Sequence, residues 1–293
     1  MKNTIHIWLL AFRLKTLPAA IAPIIIGLCY AYQSGTFKPI IATFTFIAAI
    51  LIQIGANLAN DVFDFEKGTD TEERLGPKRV TQAGLLHPQQ VKNAMIIIFS
   101  FALLIGYYLS WVGGWPIVLI GSLAIISGIA YTGGPFPLGY NGLGDLFVFI
   151  FFGILAVPGT YYLQGGAFFD SIAIILGATM GLMADCILIV NNIRDADIDI
   201  KTGKRTLAVI YGKTNSKIQY SIFSVIPYLL PFWIFNYVIP KLAIFIVLFS
   251  LPICIHNIMD IWEKSGKSLN LVLTNTARLQ FIYTILLAIG III

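Results

Sequence analysis

Nine long apolar stretches constrain this chain more than any other feature. They fall near residues 17–33, 39–60, 93–112, 115–132, 143–164, 168–190, 218–236, 240–257 and 275–293, each about long enough to cross a bilayer as a helix. A soluble fold could not hide them. Hydrophobic residues make up 58% of the 293 and charged residues only 11%, against roughly 25% charged in ordinary globular domains. Lipid offers the backbone no hydrogen-bond partner, so helices are expected, and the period-2 alternation of a membrane barrel is absent. The expected fold is therefore all-α: a polytopic membrane protein of about nine transmembrane helices, with residues 1–293 forming a single domain. Cys29, Cys186 and Cys254 are scattered in apolar runs without a CxxC, which supports neither a zinc site nor a disulfide framework. The first apolar stretch has no small-residue cleavage site, so a cleaved signal peptide is not expected.

Nine spans sort the loops between two sides. Lys2, Arg13 and Lys15 precede the first span. Lys67, Arg74, Lys78, Arg79 and Lys92 follow the second, Arg194, Lys201, Lys204, Arg205, Lys213 and Lys217 the sixth, and Lys264, Lys267 and Arg278 the eighth. These 17 share one side, and only Lys38 and Lys241 lie on the other. The split places the N-terminus and the large loops in the cytoplasm of a cell inner membrane. It also accounts for the net charge of +5 through membrane topology, with no need of a nucleic-acid partner.

The acids are as uneven. Six of 14 lie in 61–73 (Asp61, Asp64, Glu66, Asp70, Glu72 and Glu73), and three more are Asp195, Asp197 and Asp199. On a helix, Asn57, Asp61 and Asp64 stand at i, i+4 and i+7, on one face. Asn192, Asp195 and Asp199 stand at i, i+3 and i+7, and Asn191 is four before Asp195. Like charges so spaced repel unless a cation lies between them. Carboxylate and amide oxygens are hard ligands suited to Mg²⁺, which commonly completes its shell with phosphate oxygens. No histidine accompanies either cluster, which disfavours zinc. Gly76-Pro77-Lys78-Arg79 and Gly203-Lys204-Arg205 follow the two clusters, and Arg13 and Lys15 share their side. Acids for Mg²⁺ beside bases for phosphate make a diphosphate site. At the mouth of a membrane cavity, its natural substrate is an allylic prenyl diphosphate, whose tail would lie among the spans.

The two stripes resemble the paired aspartate-rich motifs of the UbiA superfamily of intramembrane aromatic prenyltransferases, in particular its dihydroxynaphthoate branch. Four segments carry the resemblance: Arg13 to Ala20, Asn57 to Gly84 (NLANDVFDFEKGTDTEERLGPKRVTQAG), Tyr131 to Asp145 (YTGGPFPLGYNGLGD) and Asn191 to Leu207 (NNIRDADIDIKTGKRTL). GTYYLQ at 159–164 adds to it. The resemblance implies nine helices around a central cavity, with facing aspartates at its cytoplasmic mouth. It also implies Mg²⁺-dependent prenylation of 1,4-dihydroxy-2-naphthoate with loss of the carboxylate, a step toward menaquinone. Carried over residue by residue, Asn57, Asp61, Asp64, Asp195 and Asp199 match metal–diphosphate positions, and Asn60, Asn191 and Asn192 match flanking amides. Arg13, Lys15, Lys78, Arg79, Arg194 and Lys204 match basic positions. Many members carry a further Asp four residues after the second one, where this chain has Gly68.

Some readings stay open on sequence. Asp145 either orients the aromatic acceptor or caps a helix. Tyr131, Tyr140, Tyr161 and Tyr162 either stack on substrate or pack. Asp185, deep in the sixth span, either lines the cavity or is a neutral packing group, while Asp197 points off its stripe into solvent. The rival activities are transfer to another acceptor (4-hydroxybenzoate, homogentisate or haem) and, from a different class, cation transport. The charge split makes one firm prediction. A membrane-impermeant thiol reagent applied outside intact cells should not label cysteines placed at positions 72 or 204, and labelling there would overturn the topology.

Overall fold

A computed structural model describes residues 4–71, 73–237 and 242–293; Lys2, Glu72 and Lys241 fall outside them. Every regular element among the described residues is helical. Helix α1 (Thr4–Phe12) turns sharply at Arg13, whose backbone is left-handed (φ 51°, ψ 57°), into a short 3₁₀ turn and then α2 (Leu17–Gln33). Helices α3 (Pro39–Glu66), α4 (Pro88–Gly113) and α5 (Trp115–Ala130) follow. One broken rod comprises α6 (Gly144–Phe149), a π-helical segment (Ile150–Ile154) and α7 (Ala156–Leu163). Then come α8 (Ser171–Lys201), the short α9 (Leu207–Ile210), α10 (Lys213–Val225), α11 (Leu230–Tyr237), α12 (Leu251–Glu263) and α13 (Leu269–Ile292). Among the described residues, eight helical stretches, some of them composite, are long and apolar enough to span a bilayer, and α5, at 16 residues, is a shorter ninth. The chain is a multi-pass membrane protein.

Helices overrun the apolar stretches at one end only. The second stretch stops near residue 60, yet α3 continues to Glu66. The sixth stops near 190, yet α8 continues to Lys201, about 16 Å further. These extensions are polar because loops and cations satisfy them, and both acidic clusters ride on them. Helix α3 ends because Gly68 adopts φ 68°, a conformation an aspartate there would enter only with strain.

Neighbouring helices pack in a ring: α2 on α3, α3 on α4, α4 on α5, α7 on α2, α8 on α6 and α7, and α13 on both α8 and α2. Four apolar clusters lie around this ring and leave its middle open. The broken rod approaches α8 through glycines. A Cβ on Gly153 would stand 2.6 Å from the carbonyl oxygen of Gly177, and one on Gly181 2.7 Å from that of Phe149. The rod widens into a π turn just before Pro158, which has no N–H for the carbonyl four residues earlier. Gly153→Val should therefore overpack this crossing and cost about 1–3 kcal/mol. Gly106→Ala, with nothing within 4 Å of its Cβ, should be neutral or slightly stabilising. Thermal unfolding in detergent would separate the two.

Candidate active site

The ring encloses a cavity of about 2430 Å³, well above the roughly 300–1,000 Å³ of ordinary ligand pockets. Its far wall is apolar, with Ile117, Val118 and Gly121 of α5, Leu163 of α7, and Phe147, Phe151 and Phe152 of the broken rod. Its other end is charged. Arg13, Lys15, Asn60, Asp64, Lys78, Arg79, Tyr131, Asn191, Asn192, Arg194, Asp195, Asp199 and Lys204 all line it there.

Asp64 in the last turn of α3 is the hub of the first cluster. It is 1% exposed. Its Oδ2 accepts from Arg79 Nη2 at 2.7 Å, and its Oδ1 from Tyr140 Oη at 2.5 Å and Lys204 Nζ at 3.2 Å. Three separate loops thus converge on one carboxylate. The Lys204 ammonium also lies 4.6 Å from the centre of the Tyr140 ring. Burial and the Asp64 contact push the Tyr140 hydroxyl well up, so it remains a donor. Arg79 also pairs with Asp70 (Nε to Oδ2, 3.2 Å), and Arg74 pairs with Asp70 as well. Burial raises Asp70, and the two guanidiniums oppose that rise. Arg79 keeps Nη1, and Arg13 and Arg74 keep one nitrogen each, without a hydrogen-bond partner among the described residues. Unsatisfied buried guanidinium donors beside a cavity fit an anionic ligand.

The second cluster is held differently. Arg194, the largest fully buried side chain, grips Asp195 with two parallel bonds (Nε to Oδ1 2.8 Å, Nη2 to Oδ2 2.6 Å). Asn191 Oδ1 and Asn270 Oδ1 also accept from it, at 2.7 and 2.8 Å. One turn on, Asp199 lines the cavity, and its carboxylate makes no hydrogen bond or ion pair among the described residues. Burial pushes the Asp199 carboxyl up to about 7 against the pull of Lys204, and a cation bound at the wall would favour its charged form. Asp64, Asp195 and Asp199 offer hard oxygens of the kind Mg²⁺ prefers, although Asp64 is paired with Arg79 and Lys204 and Asp195 with Arg194.

The sequence stripe does not survive whole. Asp61 does not line the cavity. Its oxygens accept the backbone N–H groups of Thr81 and Val80, at 3.0 and 3.2 Å, and it lies 3.8 Å from Arg13 Nη2. Asn57 is also off the wall, donating to the Phe12 carbonyl (3.0 Å) and Thr16 Oγ1 (2.9 Å). Both anchor neighbouring segments. The expected convergence of four carboxylates is likewise not seen, since no group of three or more metal-binding acids, histidines or cysteines gathers among the described residues. Arginines and a lysine stand between the acids. Asn60 accepts from Thr132 Oγ1 at 3.0 Å and still lines the cavity.

The open readings divide. Asp145, in the first turn of α6, accepts from Gln219 at 3.2 Å and sits behind the wall. Tyr131 lines the wall. Asp185 is 1% exposed and does not line the cavity. Asp197 is solvent-exposed and pairs with Lys213 at 2.7 Å. Arg74 and Asn270 line the charged end without having been singled out in the sequence. Arg74 lies within the Asn57–Gly84 segment and pairs with Asp70, whereas Asn270 belongs to no motif segment and only folding brings it there.

Residues 20–291 match the model of the UbiA prenyltransferase family. The chain belongs to that family. Its relatives include the 1,4-dihydroxy-2-naphthoate octaprenyltransferase of Escherichia coli K12, 42% identical over 72% of this chain and 70% of that one. The enzyme of the same name from Haemophilus influenzae is 37% identical over 76% and 74%. A solved structure described as a UbiA homologue from Archaeoglobus fulgidus bound to DMAPP and Mg²⁺ superposes with a TM-score of 0.65 over 97% of this chain and 98% of that one, at 15% identity. This prenyltransferase thus shares the family fold over nearly its full length.

Because Asp61 satisfies two backbone donors, Asp61→Ala should leave both buried and unpaired, at about 1–3 kcal/mol each. Thermal unfolding and limited proteolysis near residues 78–84 should report a loosened loop. A melting curve like wild type would show that Asp61 is no anchor.

Proposed function

We propose that this prenyltransferase transfers a polyprenyl group from its diphosphate to 1,4-dihydroxy-2-naphthoate. The observation that carries the reading is the cavity itself: a long apolar interior closed at one end by Asp64, Asp195 and Asp199 within a shell of arginine and lysine. The names of the relatives point to the naphthoate acceptor. The bilayer supports the chain, and the basic bias of the motif-bearing loops supports an active site facing the cytoplasm of the inner membrane.

Arg79, Lys78, Lys204 and Arg13 would bind the diphosphate, and their charge counts most as negative charge builds on the leaving group. Asp64, Asp195 and Asp199 would hold Mg²⁺, which when bound adds further neutralisation of the diphosphate. The apolar and aromatic wall excludes water, so the allylic carbon meets the ring and not hydroxide. The prenyl C–O bond breaks with its pair passing to the diphosphate. A carbon–carbon bond forms to the ring, and the carboxylate departs as CO₂, leaving its bonding pair on the ring. The product is a prenylated naphthalenediol, the quinol form of demethylmenaquinone. Asn60, Tyr131, Asn191 and Asn192, among the uncharged polar groups lining the cavity, would orient the acceptor.

Purified protein supplied with Mg²⁺, a prenyl diphosphate and dihydroxynaphthoate should form the decarboxylated adduct, identified by mass, and should use 4-hydroxybenzoate poorly. Equal turnover of the two acceptors would remove the naphthoate assignment. Asp195→Asn and Asp199→Asn should each lower the rate by about 10²–10³. Asp197→Asn should change it by less than about fivefold. A damaging Asp197→Asn would contradict the site as drawn.

A further inference from the structure

Asn270, in the first turn of α13, belongs to neither acidic motif, yet it touches both halves of the charged end. Its Oδ1 accepts from Arg194 Nη1 on α8 at 2.8 Å, and its Nδ2 donates to the carbonyl of Leu75 at 2.8 Å. Leu75 lies in the loop that carries Lys78 and Arg79 into the cavity. A primary amide is suited to this place because it offers an acceptor and a donor together. The loop also lies against the guanidinium, for a Cβ on Gly76 would stand 2.6 Å from Arg194 Nη2. Of the five N–H groups of Arg194, Asp195 takes two and Asn191 and Asn270 one each, which leaves one on Nη1. That nitrogen belongs to a cavity-lining residue, and Asn270 sets its direction.

We propose that Asn270 is a positioning residue for the diphosphate: it locks the guanidinium of Arg194 and the 75–79 loop into one arrangement before the ligand arrives. The inference rests on the prenyl-diphosphate reading and deepens it. Without Asn270, Arg194 remains paired with Asp195, but its free donor is no longer aimed and the loop loses its tether to α13. Preorganisation of this kind acts on binding of the phosphates, not on the acceptor ring.

The test uses the full chain in detergent with two variants. Asn270→Leu removes both contacts, and Asn270→Asp keeps an acceptor for Arg194 while losing the donor to Leu75. KM for geranyl diphosphate and, by calorimetry, the Kd of magnesium pyrophosphate should rise about tenfold in Asn270→Leu, the scale of one lost hydrogen bond to a charged group. Asn270→Asp should fall between Asn270→Leu and wild type. KM for the acceptor should hold within about twofold. Unchanged donor KM and pyrophosphate Kd would overturn the proposal, as would a parallel rise in acceptor KM or an Asn270→Asp protein that matches wild type. The calorimetric arm needs no turnover. A wild type that binds magnesium pyrophosphate yet transfers no prenyl group would fault the functional reading and leave this one open to the same comparison.

Discussion

The buried carboxylate of Asp64 holds the charged end of the bundle together. Arg79 reaches it from the loop after α3, Tyr140 from the loop after α5, and Lys204 from the loop after α8. The loop after α3 is also fixed by Val80 and Leu86, which are buried in an apolar cluster with α3 and α4. Stripping a partner from such a buried ion pair typically costs about 3–5 kcal/mol. The requirement to satisfy one charge therefore organises three connections around the cavity mouth. The same groups are those a diphosphate and its metal would engage, so the resting ion pairs keep the binding residues gathered in place.

Much of this was legible in the sequence, for identifiable reasons. Apolar runs report lipid contact, and they marked the spans. They could not mark where α3 and α8 end, because those extensions are stabilised by Arg79, Lys204 and Arg194 and not by lipid. Helical periodicity placed Asn57, Asp61 and Asp64 on one side. A helix face has edges, however, and what fills them depends on the neighbouring elements. The 80–81 backbone and the Phe12–Thr16 turn cover Asp61 and Asn57, and only Asp64 reaches the cavity. The i+2 offset of Asp197 from Asp195 was decisive, because no neighbour covers that direction and solvent and Lys213 take it. Asn270 was illegible because its importance comes from elements distant in sequence, α8 and the loop at Leu75.

The architecture also explains how one chain can manage a charged ligand and an apolar one. The glycine-mediated approach of the broken rod to α8 lets these two rods pack backbone to backbone on one side of the ring. The middle stays open, and its lining changes from arginine and aspartate at one end to phenylalanine and isoleucine at the other. A prenyl diphosphate has the same polarity along its length. Its tail would be held without directional contacts, whereas its phosphates meet donors already fixed by the fold.

The central claim is that the carboxylates at this end serve a metal-bound diphosphate. Titration of geranyl diphosphate into the purified protein by calorimetry, with Mg²⁺ and then with excess EDTA, tests it most directly. Binding that weakens by about a hundredfold or more without the metal is the result predicted, since Asp64, Asp195 and Asp199 would then repel the phosphates unaided. Equal affinity in both conditions would show that arginine and lysine alone hold the diphosphate, and would contradict the account.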